Sequence, residues 1–249
     1  MSQPDLTQDA FLGGRLSVWQ PRAGYRAGVD PVLLAAAVPA KAGDNVLELG
    51  CGAGVASLCL AARVPGLVQA GIEVQPFYAA LARRNAEENG VALEVFEGDL
   101  AAPPEALKAR SFTHVIANPP YFLRNRGTAA PQAGRERAMG EETLLADWLS
   151  TAARRLAPKG WLTLIQDAER LPDLLRDMPA SLGSLTVLPL AAREGRAAHR
   201  VILQARKGGQ AAFCLRAPVV MHDGPRHIVD GEDYAPMIRA VLREGAALG

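Results

Sequence analysis

Residues Val46–Gly54 read VLELGCGAG, and the helix-forming stretch VASLCLAAR follows directly from Val55. A short apolar run thus breaks into Glu48-x-Gly50-x-Gly52-x-Gly54. Glycine lets the backbone turn tightly and approach a ligand closely, and the start of the next helix presents free N–H groups. Strand, glycine turn and helix in that order open a doubly wound α/β sheet, whose ligands sit beyond the carboxyl ends of the strands.

The chain on either side keeps the same alternation. After Val55–Arg63, closed by Pro65-Gly66, the pattern predicts a strand over Leu67–Val74 and a helix over Phe77–Asn89 that stops at Gly90. Strands follow at Ala92–Phe96 and Thr113–Ala117. An amphipathic helix over Leu144–Leu156 ends at Pro158-Lys159-Gly160, before a strand at Trp161–Gln166 and a helix at Ala168–Met178. Leu185–Leu190 and His199–Arg206 read as two strands with no helix between them, so they form an antiparallel hairpin at one edge. The expected fold is therefore α/β and Rossmann-like, with a seven-stranded, mostly parallel sheet and helices on both faces. Upstream, Pro31–Val38 reads as a helix with Pro31 at its first position and Asp30 as its cap. A closing helix is expected around Pro236–Arg243. One domain is expected over 1–249, with an N-terminal segment (1–45), a core holding the sheet (46–208) and a C-terminal appendage (209–249).

Bulk composition fits that reading and removes others. The 249 residues are 49% hydrophobic and 21% charged, with a formal charge of +1, so any basic surface for a nucleic acid must be local. Cys51, Cys59 and Cys214 are scattered and form no CxxC, which argues against a disulfide framework or a zinc site and suits a reducing cytoplasm. MSQPDLTQDA lacks the basic and apolar regions of a signal peptide, and no apolar run approaches the roughly 20 residues of a membrane span. A cytoplasmic protein without a metal, and with no obligate protein partner, is the expectation.

Val55 stands where the dinucleotide fingerprint requires a small residue. Glu48-x-Gly50-x-Gly52-x-Gly54 instead resembles the first motif of class I S-adenosylmethionine-dependent methyltransferases, whose cofactor has no pyrophosphate for the turn to cradle. Glu73 ends the second strand in GIEV, at about the twenty-residue spacing from the glycines where an acid reaches ribose hydroxyls. Asp99, in EGDL after the third strand, stands where that class binds the adenine amino group. A lone acid in either place is usually a solvated loop residue. Three motifs on consecutive strand ends make a cofactor site.

The fourth strand ends in Asn118-Pro119-Pro120-Tyr121. By itself Pro-Pro closes a strand; behind the glycine motif, NPPY resembles the signature of methyltransferases that act on a planar nitrogen. Such a nitrogen is a poor nucleophile because its lone pair is delocalised. Two acceptors on its N–H groups, the Asn118 side-chain oxygen and the Pro119 carbonyl, favour a tetrahedral nitrogen and stabilise its growing positive charge. Pro119 and Pro120 fix φ, so the acceptors need little reorganisation, and Tyr121 offers a stacking face. Adenine N6, guanine N2 and a glutamine amide all remain open on this motif. Phe122 is left between substrate contact and core.

Two further segments bear on the substrate. Arg124, Arg126, Arg135 and Arg137 lie in a long stretch after NPPYF and read equally as a solvated lid or as phosphate contacts. Gly13-Gly14-Arg15-Leu16, Gln20 to Arg26 and Asp30-x-x-Leu33-Leu34, together with NPPYF, Glu141 to Trp148 and RVILQARKG, resemble the tRNA adenine N6 methyltransferases. Characterised members of that family modify the adenine just 3′ of the anticodon of a valine tRNA, position 37. The resemblance implies S-adenosylmethionine as cofactor, tRNA as partner, and Arg26 meeting the cofactor's carboxylate. Ribosomal RNA guanine N2 methylation and release-factor glutamine methylation are the alternatives. Release-factor enzymes usually carry a helical domain before the glycine motif, and the 45 residues preceding Val46 show one helix.

Overall fold

A computed structural model describes residues 5–121, 144–224 and 233–248. The chain opens with a hairpin, β1 (Leu6–Phe11) and β2 (Leu16–Pro21), paired antiparallel from Leu6↔Pro21 to Phe11↔Leu16. Then come α1 (Asp30–Ala37), β3 (Asn45–Leu49), α2 (Val55–Arg63), β4 (Val68–Glu73), α3 (Pro76–Glu88), β5 (Leu93–Glu97), α4 (Glu105–Lys108) and β6 (Phe112–Ala117). After the segment 122–143 follow α5 (Leu145–Arg155), β7 (Leu156–Asp167), α6 (Leu171–Arg176), β8 (Leu182–Ala191), β9 (Ala198–Lys207), β10 (Cys214–Leu215), β11 (Val219–Val220) and α7 (Pro236–Arg239).

The main sheet runs β10-β8-β9-β7-β6-β3-β4-β5, with β11 also beside β8. From β5 to β7 all neighbours are parallel, whereas β9 pairs antiparallel with both β7 and β8. This is the expected seven-stranded, Rossmann-like sheet with its antiparallel edge hairpin. Two dipeptide strands, β10 and β11, extend it along β8 to nine among the described residues. Chain order reverses at β3, since β4 and β5 lie to one side and β6 and β7 to the other. Their carboxyl ends flank the crevice of a doubly wound sheet.

Both faces of the sheet are covered, so the strand residues divide between two cores. Val46, Ile116, Ile165 and Ile202 pack with the apolar residues of α1, α2 and α3. Their neighbours Leu47, Val115, Leu164 and Leu203 pack on the other face with Leu149, Leu174 and Leu107 of α5, α6 and α4. The period of two along each strand sends alternate apolar side chains to opposite layers, which is why the strands read as unbroken apolar runs.

Three local expectations differ. The strand expected at Trp161 begins at Leu156 and absorbs Pro158-Lys159-Gly160 in a register shift against β6, with Lys159 at φ 65°. The helix expected over Ala168–Met178 is a short 3-10 turn followed by α6, which restarts with Pro172 in its first turn. The closing helix spans Pro236–Arg239 and continues as a wider turn through Ala240–Glu244. Phe122, Arg124, Arg126, Arg135, Arg137 and Glu141 lie outside the described residues. Among the described residues, no helix is long and apolar enough to cross a membrane.

Candidate active site

The glycine turn leaves β3 with Gly50 at φ 58°, Gly52 at φ 52° and Gly54 at φ 84°. Each conformation is strained for a residue with a Cβ. Gly50 is also held by space: a Cβ there would lie 2.4 Å from Cη2 of Trp148, which reaches the turn from α5. Gly54 caps α2, and a Cβ on it would lie 3.4 Å from Ala82 Cβ and from Leu93 Cδ2. It does not line the cavity, contrary to its expected place among the cofactor residues, and its left-handed φ serves the turn into α2.

Beyond the strand ends lies a cavity of 480 Å³. Arg26, Glu48, Gly50, Gly52, Glu73, Asp99, Asn118, Pro119, Pro120 and Tyr121 all line it. The sheet therefore brings together every sequence-predicted site residue except Gly54.

Their present partners differ in kind. Glu73 Oε2 accepts the Gly52 N–H at 2.9 Å and Oε1 accepts the Gln75 N–H at 2.9 Å. The carboxylate thus ties the glycine turn to β4, and each oxygen keeps a further lone pair. Burial pushes its carboxyl above the ordinary range. Asp99 Oδ1 accepts the Ala101 N–H at 2.8 Å, and its side chain is exposed at the far wall. Glu48 is 4% exposed, and its Oε2 takes the Ser57 N–H at 3.0 Å, bracing the first turn of α2. Arg26 departs from expectation. Its guanidinium donates to Asp9 Oδ2 at 2.6 Å, to Thr7 Oγ1 at 2.7 Å and to the Pro21 carbonyl at 2.9 Å. Those bonds tether the segment after β2 to the hairpin, where a free cation was expected.

On the opposite wall, the Tyr121 hydroxyl lies 2.7 Å from Asn118 Oδ1 and 2.6 Å from Asp30 Oδ2. Burial, with the nearby Asp30 charge adding to it, pushes the phenol upward, so it keeps its proton. Asp30 is no cap. Val29 caps α1, and the Asp30 carboxylate instead meets Tyr121 and, at 3.2 Å, Arg200 Nε. The Arg200 guanidinium lies 4.4 Å from the centre of the Tyr121 ring and is held from behind by Asp167. Gln166, fully buried at the end of β7, donates to the Pro119 carbonyl at 3.2 Å.

Asp30, Gln166, Arg200, Tyr25 and Trp148 escaped the sequence reading as site residues. Tyr25 lines the cavity beside Gly52, and its carbonyl accepts the Tyr78 hydroxyl at 3.0 Å. A signal for Gln166-Asp167 did exist: two polar residues end an apolar strand that lies next to the strand leading into Asn118.

Residues 27–188 match the family described as "Methyltransferase small domain". The chain belongs to that family. Its relatives include a tRNA1(Val) (adenine(37)-N6)-methyltransferase of Dickeya chrysanthemi, 28% identical over 97% of this chain and 95% of the relative. A protein of the same name from Porphyromonas gingivalis is 34% identical over 68% and 69% of the two chains. Among solved structures, a "predicted O-methyltransferase" from Agrobacterium tumefaciens superposes with a TM-score of 0.70 at 27% identity, covering 88% of this chain and 97% of that one. A Thermus thermophilus 16S rRNA N2 G1207 methyltransferase shares the fold, with a TM-score of 0.55 at 20% identity over 82% and 50% of the chains. The methyltransferase thus has the class I, Rossmann-like fold.

Proposed function

We propose that this methyltransferase moves the methyl group of S-adenosylmethionine onto the exocyclic amino nitrogen of an adenine in tRNA, at position 37 beside the anticodon. The observation that carries this reading is the placement of Asn118-Pro119-Pro120-Tyr121 against the same cavity as the glycine turn, Glu73 and Asp99. The names of the Dickeya and Porphyromonas relatives supply the nucleotide and the tRNA.

The lining fits this cofactor. Among the described residues its charged members are the acids Glu48, Glu73 and Asp99 and one cation, Arg26, which Asp9 already neutralises. Such a wall disfavours a pyrophosphate and suits a ligand bearing a sulfonium charge. Glu73 is assigned to the ribose hydroxyls, Asp99 to the adenine amino group, and the turn around Gly50 and Gly52 to the methionine portion. When bound, the cofactor supplies an electrophilic methyl group.

The chain's own residues then govern the acceptor. Asn118 Oδ1 and the Pro119 carbonyl take the two N–H groups of the substrate nitrogen, which directs its lone pair and stabilises the charge it acquires. Gln166 occupies one lone pair of that carbonyl and leaves the second. Tyr121 stacks on the base. Alignment does most of the work, since displacement at a sulfonium methyl needs neither a strong base nor a metal. An oxygen acceptor, as the name of the Agrobacterium protein describes, would have no use for two hydrogen-bond acceptors on an amino group.

Incubation with labelled S-adenosylmethionine and unmodified tRNA, followed by digestion to nucleosides, should place the label in N6-methyladenosine. Label in N2-methylguanosine or a ribose-methylated nucleoside overturns the choice of acceptor. Asn118→Ala should lower kcat by about 10²- to 10³-fold and leave cofactor affinity within about threefold, because its bonds strengthen in the transition state.

A further inference from the structure

Two oxygens compete for the single proton of the Tyr121 hydroxyl. Asp30 Oδ2 stands 2.6 Å away and Asn118 Oδ1 stands 2.7 Å away. A phenol donates one hydrogen bond only. Asp30 also receives Arg200 Nε at 3.2 Å, so the carboxylate is one half of an ion pair. An ionised acceptor draws a hydrogen bond roughly twice as strong as a neutral amide does, so the proton goes to Asp30. Without a proton between them, the phenol and carboxamide oxygens repel at 2.7 Å. A half-turn of the Asn118 carboxamide removes the conflict, because its NH₂ then donates to the phenol oxygen.

We propose that Asp30 is a positioning residue: by holding the Tyr121 proton, it makes Asn118 turn its NH₂ to Tyr121 and its carbonyl oxygen to the substrate's amino group. Arg200 belongs to the same device, since it pairs with the Asp30 carboxylate and covers one face of the Tyr121 ring. The chain Arg200–Asp30–Tyr121–Asn118 joins β9, α1 and the end of β6, residues far apart in sequence. It explains why this site carries a tyrosine hydroxyl, which stacking alone does not require. The inference rests on the proposed transfer to an amino nitrogen, because only there is a carbonyl oxygen, and not an NH₂, the useful end of Asn118.

The orientation can be read without turnover. In isotope-labelled protein, an Asn118 side-chain amide proton should show a nuclear Overhauser contact to the Tyr121 ring, which Asp30→Asn and Tyr121→Phe both abolish. Absence of that contact in the unaltered protein overturns the proposal, whatever the substrate proves to be. Kinetics with tRNA give the second readout. Tyr121→Phe, which keeps the stacking face, should lower kcat by about tenfold or more, and so should the isosteric Asp30→Asn, with KM, cofactor affinity and Tm little moved. The double variant should be no slower than Tyr121→Phe within about twofold, because both act through one proton. Asp30→Asn at the unaltered kcat, or losses that multiply in the double variant, overturn the proposal. Label in another nucleoside with the amide contact intact overturns the function reading and leaves the carboxamide orientation standing.

Discussion

Glu48 lies beneath the glycine turn, where removal from water pushes its carboxyl from 4.5 up to about 7 and the Ser57 bonds pull the other way without cancelling it. The unfolded side chain releases its proton near the ordinary value, so between the two values the native state binds more protons than the unfolded one. Stability contributed by this group is therefore fully present below about pH 4 and declines as pH rises to about 7. Glu48→Gln removes the titration and keeps an acceptor for Ser57. The stability of the variant relative to the unaltered protein should rise by about 2–3 kcal/mol between about pH 4 and pH 8, measured by urea unfolding at each pH. A relative stability that does not change with pH means that Glu48 holds no extra proton. At this scale the sequence was a good guide to which residues gather and a poor one to what each holds. Glu73 and Asp99 could be placed because the strand-end spacing is a local property of the βαβ unit. The role of Asp30 could not, since its partners Tyr121 and Arg200 are 91 and 170 residues away, and the Pro31 that follows it mimics a capped helix start.

The hairpin β1–β2 was the element that the sequence concealed. Its burial pattern alternates only loosely, and Gly13-Gly14 lies within a four-residue connection, 12–15, that turns through a 3-10 step and is no two-residue hairpin turn. What fixes it is a helix elsewhere in the chain. Asn85 on α3 and Asn89, which caps the C-terminal end of that helix, stand one turn apart and present their amides to the free edge of β2. Asn85 accepts the Trp19 N–H at 2.8 Å and donates to the Trp19 carbonyl at 3.1 Å, and Asn89 does the same for Ser17 at 3.0 and 2.8 Å. The side chains thus imitate a neighbouring strand. Asn85 is fully buried and also donates to the Ala53 carbonyl at 3.0 Å, which links the hairpin to the glycine turn. Asn85→Ala leaves those backbone groups unpaired and should cost about 2–4 kcal/mol. Hydrogen exchange should show the Trp19 amide losing more protection than the amides of β3. Equal losses at both places would mean that the hairpin has no separate dependence on Asn85.

For the molecule as a whole, the cavity is where otherwise separate parts meet: the ends of β3, β4 and β6, the turn after β5, the segment after β2, and Trp148 of α5. Each strand end was legible because a doubly wound sheet must converge its carboxyl ends at the reversal of strand order. The covering pieces were less so, since the paths of residues 22–29 and of α5 depend on tertiary packing. A ligand that bridges these parts binds only the folded state, so it stabilises the whole chain by mass action. At about 100 times its Kd, S-adenosylmethionine should add roughly 2.7 kcal/mol. For a chain of this length that corresponds to a rise in Tm of about 5–10 °C. Glu73→Ala should lower the Tm without cofactor, because Gly52 and Gln75 lose their acceptor. The decisive quantity is thus the shift on adding cofactor, not the absolute Tm. If the Glu73 carboxylate holds the ribose and its loss weakens binding about tenfold, the same cofactor concentration should produce about half the shift. An equal shift in both proteins would show that Glu73 serves the glycine turn alone. No shift in the unaltered protein would show that the cavity does not take this cofactor.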